Sequence, residues 1–153
     1  MLYRKSLEED CPAIYALICD MEQKALPYAE FANIYREQLQ DQCFYCLVCA
    51  DGDKVIGFIN LRFERQLHHC ETIAEIMECV VDKSHRSLGV GGALLQEAYR
   101  LCREYGCAQI EVACNQLRKD AHRFYLREGM HSFHYKFSRR LTGEDTADNA
   151  LGR

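Results

Sequence analysis

The residues best suited to chemistry lie where a β-branched segment runs into closely spaced glycines and then into an amphipathic helix. The pattern Arg-x-x-Gly-x-Gly begins at Arg86 and ends at Gly91, with Gly92 beside it. Glycines turn the backbone tightly and leave its N–H groups open to a ligand. At a helix N-terminus, unpaired N–H groups and the positive dipole end favour an anion. The spacing therefore predicts a diphosphate cradle, distinct from the Gly-x-Gly-x-x-Gly and Gly-x-x-x-x-Gly-Lys-Ser/Thr loops.

Two carboxylates on the strand before this loop, Glu75 and Glu78, are the candidate proton acceptors. A base is needed wherever an ammonium group must lose a proton before it attacks an electrophile. Residues three apart face opposite sides of a regular strand, whereas a β-bulge between them changes that count. The alternative for either residue is a solvated strand charge or one half of an ion pair.

The elements that must position these residues follow from hydrophobic periodicity and turn chemistry. We predict strands at 2–5, 44–50, 55–63, 72–82, 110–114 and 133–141, and helices from residue 7 and over 28–40, 89–105 and 118–127. Ser6 and Glu9 form a predicted capping box for the first helix. The expected fold class is α/β of the α+β mixed-sheet kind, with residues 1–141 as one domain and 142–153 as a disordered tail.

Composition limits the class of protein. The 153 residues suit a single domain with a sizeable core, and a net charge of −4 without a basic stripe argues against a nucleic-acid partner. No apolar run is long enough to span a membrane, and the first five residues lack signal-peptide character, so we expect a cytoplasmic protein.

The ten cysteines are expected to be reduced and to act as small hydrophobes. Cys43, Cys46 and Cys49 form two overlapping Cys-x-x-Cys patterns inside a predicted strand. A zinc knuckle needs its paired cysteines on a turn, so a zinc-binding module is the disfavoured alternative.

A second motif lies downstream, where Ala121, Tyr125 and Gly129 give Ala-x-x-x-Tyr-x-x-x-Gly on a predicted helix after a strand. With the Arg86–Gly91 loop, it resembles the GNAT superfamily of N-acetyltransferases over about residues 1–140. The resemblance implies the GNAT fold, a twisted and mostly antiparallel central sheet with a parallel splayed pair and flanking helices. It also implies acetyl-CoA as cosubstrate and a small primary amine as acceptor.

The resemblance assigns roles to individual residues. Tyr125 would protonate the departing thiolate, for which a phenol suits because it stays protonated near neutral pH; the alternative is a core aromatic. Glu78 ranks before Glu75 as the base, since many relatives carry a carboxylate immediately before the Val-Val segment. The resemblance also implies a β-bulge in this strand, which would change the face that each carboxylate occupies. Ser87 departs from the usual glycine and Lys83 from a frequent proline. The residues implied for coenzyme binding are Val80, Val81, Arg86, Ser87, Leu88, Gly89, Val90, Gly91, Gly92, Asn115 and Tyr125.

A narrower resemblance to the aminoalkylphosphonate N-acetyltransferases implies acetylation of an aminophosphonate. The strings that carry it are Tyr15–Cys19, Leu67–His69, Asp120–Gly129 and His131-x-x-His134-x-x-Phe137. This resemblance also implies dependence on a divalent metal, for which His68 and His69 are the weak candidates; the alternative is that they only occupy a loop. Candidates for binding an anionic head are Arg62, Arg65, Arg118 and Lys119.

Other functions stay open from the sequence. Within the same chemistry, the acceptor is a polyamine, an amino acid or a peptide N-terminus. In a different class, the chain is a non-catalytic acetyl-CoA-binding sensor, against which the intact Tyr125 and Glu78 count. A homodimer that uses the aromatic segment Phe133–Phe137 is an expectation by analogy only.

Overall fold

The computed structural model describes residues 1–142, which contain five β-strands and four α-helices. The strands are β1 Leu2–Lys5, β2 Phe44–Asp51, β3 Lys54–Gln66, β4 Glu71–Val81 and β5 Gln109–Val112. The helices are α1 Cys11–Glu22, α2 Tyr28–Gln40, α3 Val90–Glu104 and α4 Lys119–Arg127. Short 3₁₀ turns, Glu8–Asp10 and Lys83–His85, precede α1 and the loop before α3.

The five strands form one mixed sheet in the order β1-β2-β3-β4-β5. The first four pair antiparallel, and β4 pairs with β5 in parallel. The parallel pairing covers Ile73–Ile76, so β4 continues through Val81 past its last β5 partner. This arrangement confirms the predicted mixed sheet and places the glycine-rich loop directly after β4.

Helices cover both faces of the sheet. On one face, Phe58 and Val80 belong to a buried cluster with Ile14 of α1 and Tyr35 of α2. On the other face α3 packs close to β3, which requires a glycine at position 57. A Cβ there would lie 3.1 Å from Leu94 Cδ1 and 3.0 Å from the Val80 carbonyl oxygen.

The chain divides into two compact units. The first is Met1–Val112 and holds the whole sheet with α1, α2 and α3. The second begins at Ala113 and holds α4. The candidate base Glu78 belongs to the first unit and Tyr125 to the second. The prediction of one domain over residues 1–141 stays a prediction.

The predicted last strand is wrong, because residues 133–141 lie in no strand. Alternation of aromatic and polar residues favours a strand only where a neighbouring strand accepts its hydrogen bonds, and within residues 1–142 β5 pairs only with β4. Phe133, Tyr135 and Phe137 are accordingly 80%, 81% and 92% exposed. Homodimerisation through this segment stays a prediction, and the predicted disordered tail, from residue 143 onward, lies outside the described residues.

The predicted capping box at the start of the first helix is also wrong. The carboxylate of Asp10, rather than Ser6 or Glu9, accepts the Leu7 N–H, at 2.7 Å. Asp10 also pairs with the Arg4 guanidinium through contacts of 2.6 and 2.9 Å. This ion pair fixes the carboxylate over the 3₁₀ turn, and α1 begins only at Cys11.

Candidate active site

A β-bulge brings the two candidate bases to the same face of the sheet. Across β3, Glu75 lies opposite Arg62, and Glu78 lies opposite Asn60. The register shifts between them, so that Met77 is the additional residue on β4. Because Asn60 and Arg62 are two positions apart and share one face, their partners also share it. Glu75 and Glu78 therefore do not face opposite sides of the sheet, as they would in a regular strand.

Glu78 lies in a half-buried position, and its surroundings suit a base. Its Oε2 accepts a hydrogen bond of 2.9 Å from the Asn60 amide. Burial raises the pKa of Glu78, and the Asn60 hydrogen bond opposes that rise. Desolvation disfavours the ionised carboxylate and so strengthens its affinity for a proton. A raised pKa brings a carboxylate closer to the value that general-base catalysis at neutral pH needs.

Glu75 is occupied by a cation. Its Oε2 lies 2.7 Å from Arg62 Nη2, which also lies 3.2 Å from Glu64 Oε2. A carboxylate committed to a guanidinium has less capacity to accept a proton from a substrate. The geometry therefore favours Glu78 over Glu75 as the proton acceptor.

The part of β4 beyond β5 presents backbone groups at an unpaired edge. The Asp82 N–H donates to the Ile56 carbonyl at 2.8 Å, so by antiparallel alternation Val80 also bonds to β3. The backbone groups of Val81 then face the opposite side, where its carbonyl accepts Arg86 Nε at 3.0 Å. Within residues 1–142 no strand pairs with this side of Val81, so its N–H is a candidate donor to a thioester oxygen.

The loop between β4 and α3 is organised by Asp82. The Asp82 carboxylate accepts the Ser84 N–H at 2.9 Å and contacts the Ser84 hydroxyl and His85 Nδ1. Hydrogen bonds from Ser84 and His85 hold the pKa of Asp82 well below its usual range. Ser87 (φ 62°) and Gly89 (φ 83°) then take left-handed backbone conformations.

The N-terminus of α3 has the properties of an anion site. The first intrahelical bond runs from the Ala93 N–H to the Gly89 carbonyl at 3.0 Å, and no side chain caps the helix. The preceding N–H groups of Gly89, Val90, Gly91 and Gly92 therefore have no intrahelical partner. Arg86, three residues before Gly89, adds a half-exposed cation to this loop, with its Nη2 3.7 Å from Asp20 Oδ2. These donors fit the diphosphate of a coenzyme.

Gly89→Ala is expected to weaken coenzyme binding. A side chain at φ 83° costs about 1–2 kcal/mol, which corresponds to a roughly tenfold increase in KM for acetyl-CoA if the loop shifts to relieve it. The matched control is Gly106→Ala, with φ 71° at the other end of the same helix. Steady-state kinetics should show the larger KM in Gly89→Ala alone, whereas an equal change in both variants would contradict the assignment of the loop.

The proposed metal candidates are neighbours in the turn between β3 and β4. The rings of His68 and His69 have centroids 4.2 Å apart. In residues 1–142 no group of three or more His, Cys, Asp or Glu side chains is placed to hold a metal ion. The two histidines thus lack a third ligand in the part of the chain that the structure describes.

The Cys-x-x-Cys run is divided between a turn and the core. Cys43 is exposed in a turn before β2, which differs from its predicted place inside the strand. Cys46 and Cys49 are buried within β2, and burial raises the pKa of the Cys46 thiol to about 12. Such a thiol is a poor ligand and a poor nucleophile near neutral pH.

In the second unit, α4 carries the second motif. Tyr125 lies in its last part, with its ring centroid 5.1 Å from that of Phe124. Gly129 has φ 87°, and the Met130 N–H closes on the Tyr125 carbonyl at 3.0 Å. The carboxamide of Asn115 accepts the Leu117 N–H at 2.9 Å before the helix begins. The predicted helix is confirmed as Lys119–Arg127, and Gly129 takes a left-handed conformation one residue after the C-cap, Glu128.

Two polar residues of the site were not predicted as site residues. Asn60 is buried, and its amide donates to Glu78 and to Gln38 Oε1 of α2, each at 2.9 Å. The signal for Asn60 was present in the sequence, as one amide in the apolar run Val55–Leu61. A buried polar group must find partners, which marks such a position for attention. Nothing in the local pattern of α2 distinguishes Gln38.

Comparison with known families gives the class of this protein. Residues 11–130 match the family described as "Acetyltransferase (GNAT) family". The chain therefore belongs to the GNAT acetyltransferase family and is an acetyl-transfer enzyme. Enzymes of this family use acetyl-CoA.

One relative supports the same assignment, and two solved structures share the fold. The aminoalkylphosphonate N-acetyltransferase of Salmonella typhimurium is 36% identical over 138 residues, which are 90% of each chain. A crystal structure described as a transcriptional regulator from Bacillus halodurans has a TM-score of 0.85 at 21% identity and covers 92% of this chain and 99% of its own. A ribosomal-protein-alanine N-acetyltransferase from Brucella melitensis has a TM-score of 0.77 at 15% identity and covers 92% and 100%. The structural likeness confirms the predicted GNAT fold.

In the part of the chain that is described, no helix has the length and apolar character needed to cross a membrane.

Proposed function

We propose that this enzyme transfers the acetyl group of acetyl-CoA to the primary amine of a small aminoalkylphosphonate. The observation that carries the reaction is Glu78, a half-buried carboxyl with a raised pKa on the bulged strand that leads into the coenzyme loop. The phosphonate acceptor is supported by the identity to the Salmonella typhimurium enzyme over nearly the whole chain.

The reaction is direct attack of the amine on the thioester. Acetyl-CoA supplies the acetyl group on a thiol leaving group. Glu78 takes a proton from the substrate ammonium, and the freed nitrogen lone pair forms the new bond to the thioester carbon. The Val81 N–H donates to the carbonyl oxygen as negative charge develops there. The carbon–sulfur bond then breaks, and the thiolate takes the Tyr125 hydroxyl proton. The second proton of the attacking nitrogen is released as the amide forms and restores the Tyr125 hydroxyl through solvent.

The same proposal assigns the remaining site residues to coenzyme binding. Arg86 and the N–H groups from Ser87 to Gly92 bind the diphosphate. Val80 fixes β4 through its bonds to β3 and so positions the Val81 N–H. Asn115, which orders the turn before α4, contacts the coenzyme as the resemblance implies.

Arginine is the natural partner for the phosphonate group. Arg62 faces the same side as Glu78, and its buried Nε has no hydrogen-bond partner among the described residues. A guanidinium offers several donors in a planar arrangement that suits a tetrahedral oxyanion. Arg65 on β3, with Arg118 and Lys119 in the second unit, are further candidates.

A second acceptor class, a polyamine, has one observation in its favour. Around Arg62 the same strands carry three carboxylates, Glu64, Glu75 and Glu78, against one cation. A cluster of carboxylates attracts a substrate with several ammonium groups. This alternative shares the chemistry of the first and differs only in the group recognised.

Competition between amines distinguishes these acceptors. The enzyme is given acetyl-CoA and an equimolar mixture of 2-aminoethylphosphonate, β-alanine, spermidine and a short peptide, and the products are counted by mass spectrometry. Thiol-reactive dyes are unsuitable because Cys43 and Cys70 are exposed. We expect the acetylated phosphonate to exceed each competitor by more than about tenfold. If acetylspermidine is the main product, the acceptor is a polyamine and not a phosphonate.

The same assay tests the divalent metal. A requirement for a metal ion rests on the resemblance, with His68 and His69 as its candidates, and a divalent cation would neutralise charge on the phosphonate. Loss of acetylation in EDTA and its recovery on addition of Mg²⁺ or Mn²⁺ would support it. Equal rates with and without EDTA would remove it from the proposal.

A further inference from the structure

Three side chains from three elements form a continuous hydrogen-bonded chain. Gln38 of α2 accepts from the Asn60 amide nitrogen at 2.9 Å, and the same nitrogen donates to Glu78 Oε2 at 2.9 Å. An amide nitrogen has two hydrogens, so both donors of Asn60 are used. Asn60 itself is buried, with 7% exposure. The chain therefore connects the candidate base to a helix on the covering layer.

We propose that Asn60 is the positioning residue for Glu78 and that Gln38 fixes the orientation of the Asn60 amide. The inference rests on the proposed function in that Glu78 is the base. With Oε2 held by Asn60, the other carboxylate oxygen is left to receive the proton from the substrate. If the amide were reversed, its oxygen would face the Glu78 carboxylate, which only accepts; in the observed orientation Gln38 Oε1 accepts the second hydrogen of the same nitrogen.

The unsatisfied side of Asn60 argues against a purely structural role. Its Oδ1 is buried and has no hydrogen-bond partner among residues 1–142. Native cores rarely keep such an atom, and the exceptions concentrate at functional sites. An apolar side chain of similar size would fill this position without an unpaired acceptor. If Asn60 only filled space, Asn60→Leu would be at least as stable and as active as the parent enzyme.

The pKa of Glu78 responds to this chain because few charges approach it. Burial raises the pKa of Glu78, and the hydrogen bond from Asn60 lowers it. Helix α3 packs on the opposite face, where it meets Gly57. The charged or titratable side chains that face this side of the sheet include Arg62 and Glu64 of β3, Glu75 of β4, Glu111 of β5, Cys46 of β2, Arg4 of β1, Tyr35 of α2 and Cys11 of α1.

The expected effect has a definite sign. Asn60→Leu removes the hydrogen bond that favours the ionised carboxylate, so the pKa of Glu78 rises further. The acidic limb of the pH profile of kcat/KM should move up by about one pH unit, and KM for acetyl-CoA should be unchanged. Gln38→Met should shift the limb in the same direction by less, because it removes one acceptor of the Asn60 amide and leaves Glu78 itself in place. Gln40→Met, at an exposed position on the same helix, is the matched control.

A second readout does not depend on turnover. Carbon NMR of protein labelled at the glutamate carboxyls gives the pKa of Glu78 directly, with Glu78→Gln to assign the signal. A higher pKa in Asn60→Leu and Gln38→Met but not in Gln40→Met supports the inference, even if no phosphonate is acetylated and the proposed function fails. An unchanged pKa and an unchanged acidic limb in both variants overturn it, even if phosphonate acetylation is confirmed. If Asn60→Leu does not fold, Gln38→Met alone decides between these outcomes.

Discussion

Glu78→Gln is expected to lower kcat/KM for the amine by about 10²–10³-fold near neutral pH, the range typical of losing a general base. Glutamine keeps the size of the side chain and an oxygen to accept from Asn60, but it takes no proton. The variant then acetylates only the small fraction of substrate that is already neutral. Initial rates with 2-aminoethylphosphonate, across a pH series, measure the effect.

The pH dependence separates a base from a binding residue. Neutral amine becomes more abundant as the pH rises, so the variant should recover activity, and its deficit should shrink toward the amine pKa. The parent enzyme should instead lose activity on acidification as Glu78 takes a proton, at a higher pH than an unperturbed glutamate because burial raises its pKa.

Glu71→Gln is the matched control, since Glu71 is an exposed carboxylate at the start of the same strand. Its rate should equal that of the parent at every pH. A constant ratio of Glu78→Gln to parent across the whole pH range would contradict the assignment of Glu78 as base.

Tyr125→Phe is expected to lower kcat by about 10²-fold and to leave KM for acetyl-CoA within about twofold of the parent value. The substitution removes one hydroxyl and keeps the ring that contacts Phe124. An interaction made only as the thiolate departs affects kcat, whereas loss of coenzyme affinity would appear in KM. Steady-state kinetics with acetyl-CoA as the varied substrate distinguish the two.

The control for Tyr125 is Tyr135→Phe, which removes a hydroxyl from an 81% exposed residue of the same unit. It should leave kcat unchanged. A Tyr125→Phe enzyme with normal kcat would show that the tyrosine is a helix aromatic and that water or another group protonates the thiolate.

The conformation of the Arg86–Gly91 loop was predictable from the sequence because it depends on the backbone, and its role in coenzyme binding stays a prediction. Glycine at 89 is required by its positive φ, and the N–H groups of a helix N-terminus are available whatever side chains follow. The strand before the loop and the helix after it were recognisable from periodicity. The left-handed backbone at Ser87 was not, since serine rarely adopts it and leaves no pattern there.

The arrangement of the carboxylates was only half predictable. Glu75 and Glu78 could be selected by residue type, but the face each occupies depends on the bulge at Met77. A bulge is fixed by pairing with the neighbouring strand, and that pairing is a tertiary property. The partners of Glu78 follow the same rule, because Gln38 and Asn60 meet it only after α2 packs on the sheet.

The errors have the same origin. Residues 133–141 carry a strand-like alternation, yet within the described chain no strand pairs with them. The first helix begins later than its capping signals indicate, because Asp10 bonds to Leu7 and to Arg4 on β1. In the first case the missing partner strand among residues 1–142 decides against the local pattern, and in the second the bonds of Asp10 to Leu7 and Arg4 do.

The most direct test of the account is mass spectrometry of a reaction with 2-aminoethylphosphonate as the sole acceptor and acetyl-CoA as the sole donor. The account predicts one product, the phosphonate carrying a single acetyl group on its nitrogen, formed in step with free coenzyme A and nearly abolished in Glu78→Gln. Binding of acetyl-CoA without acetylated phosphonate, at any pH in the working range, would contradict it.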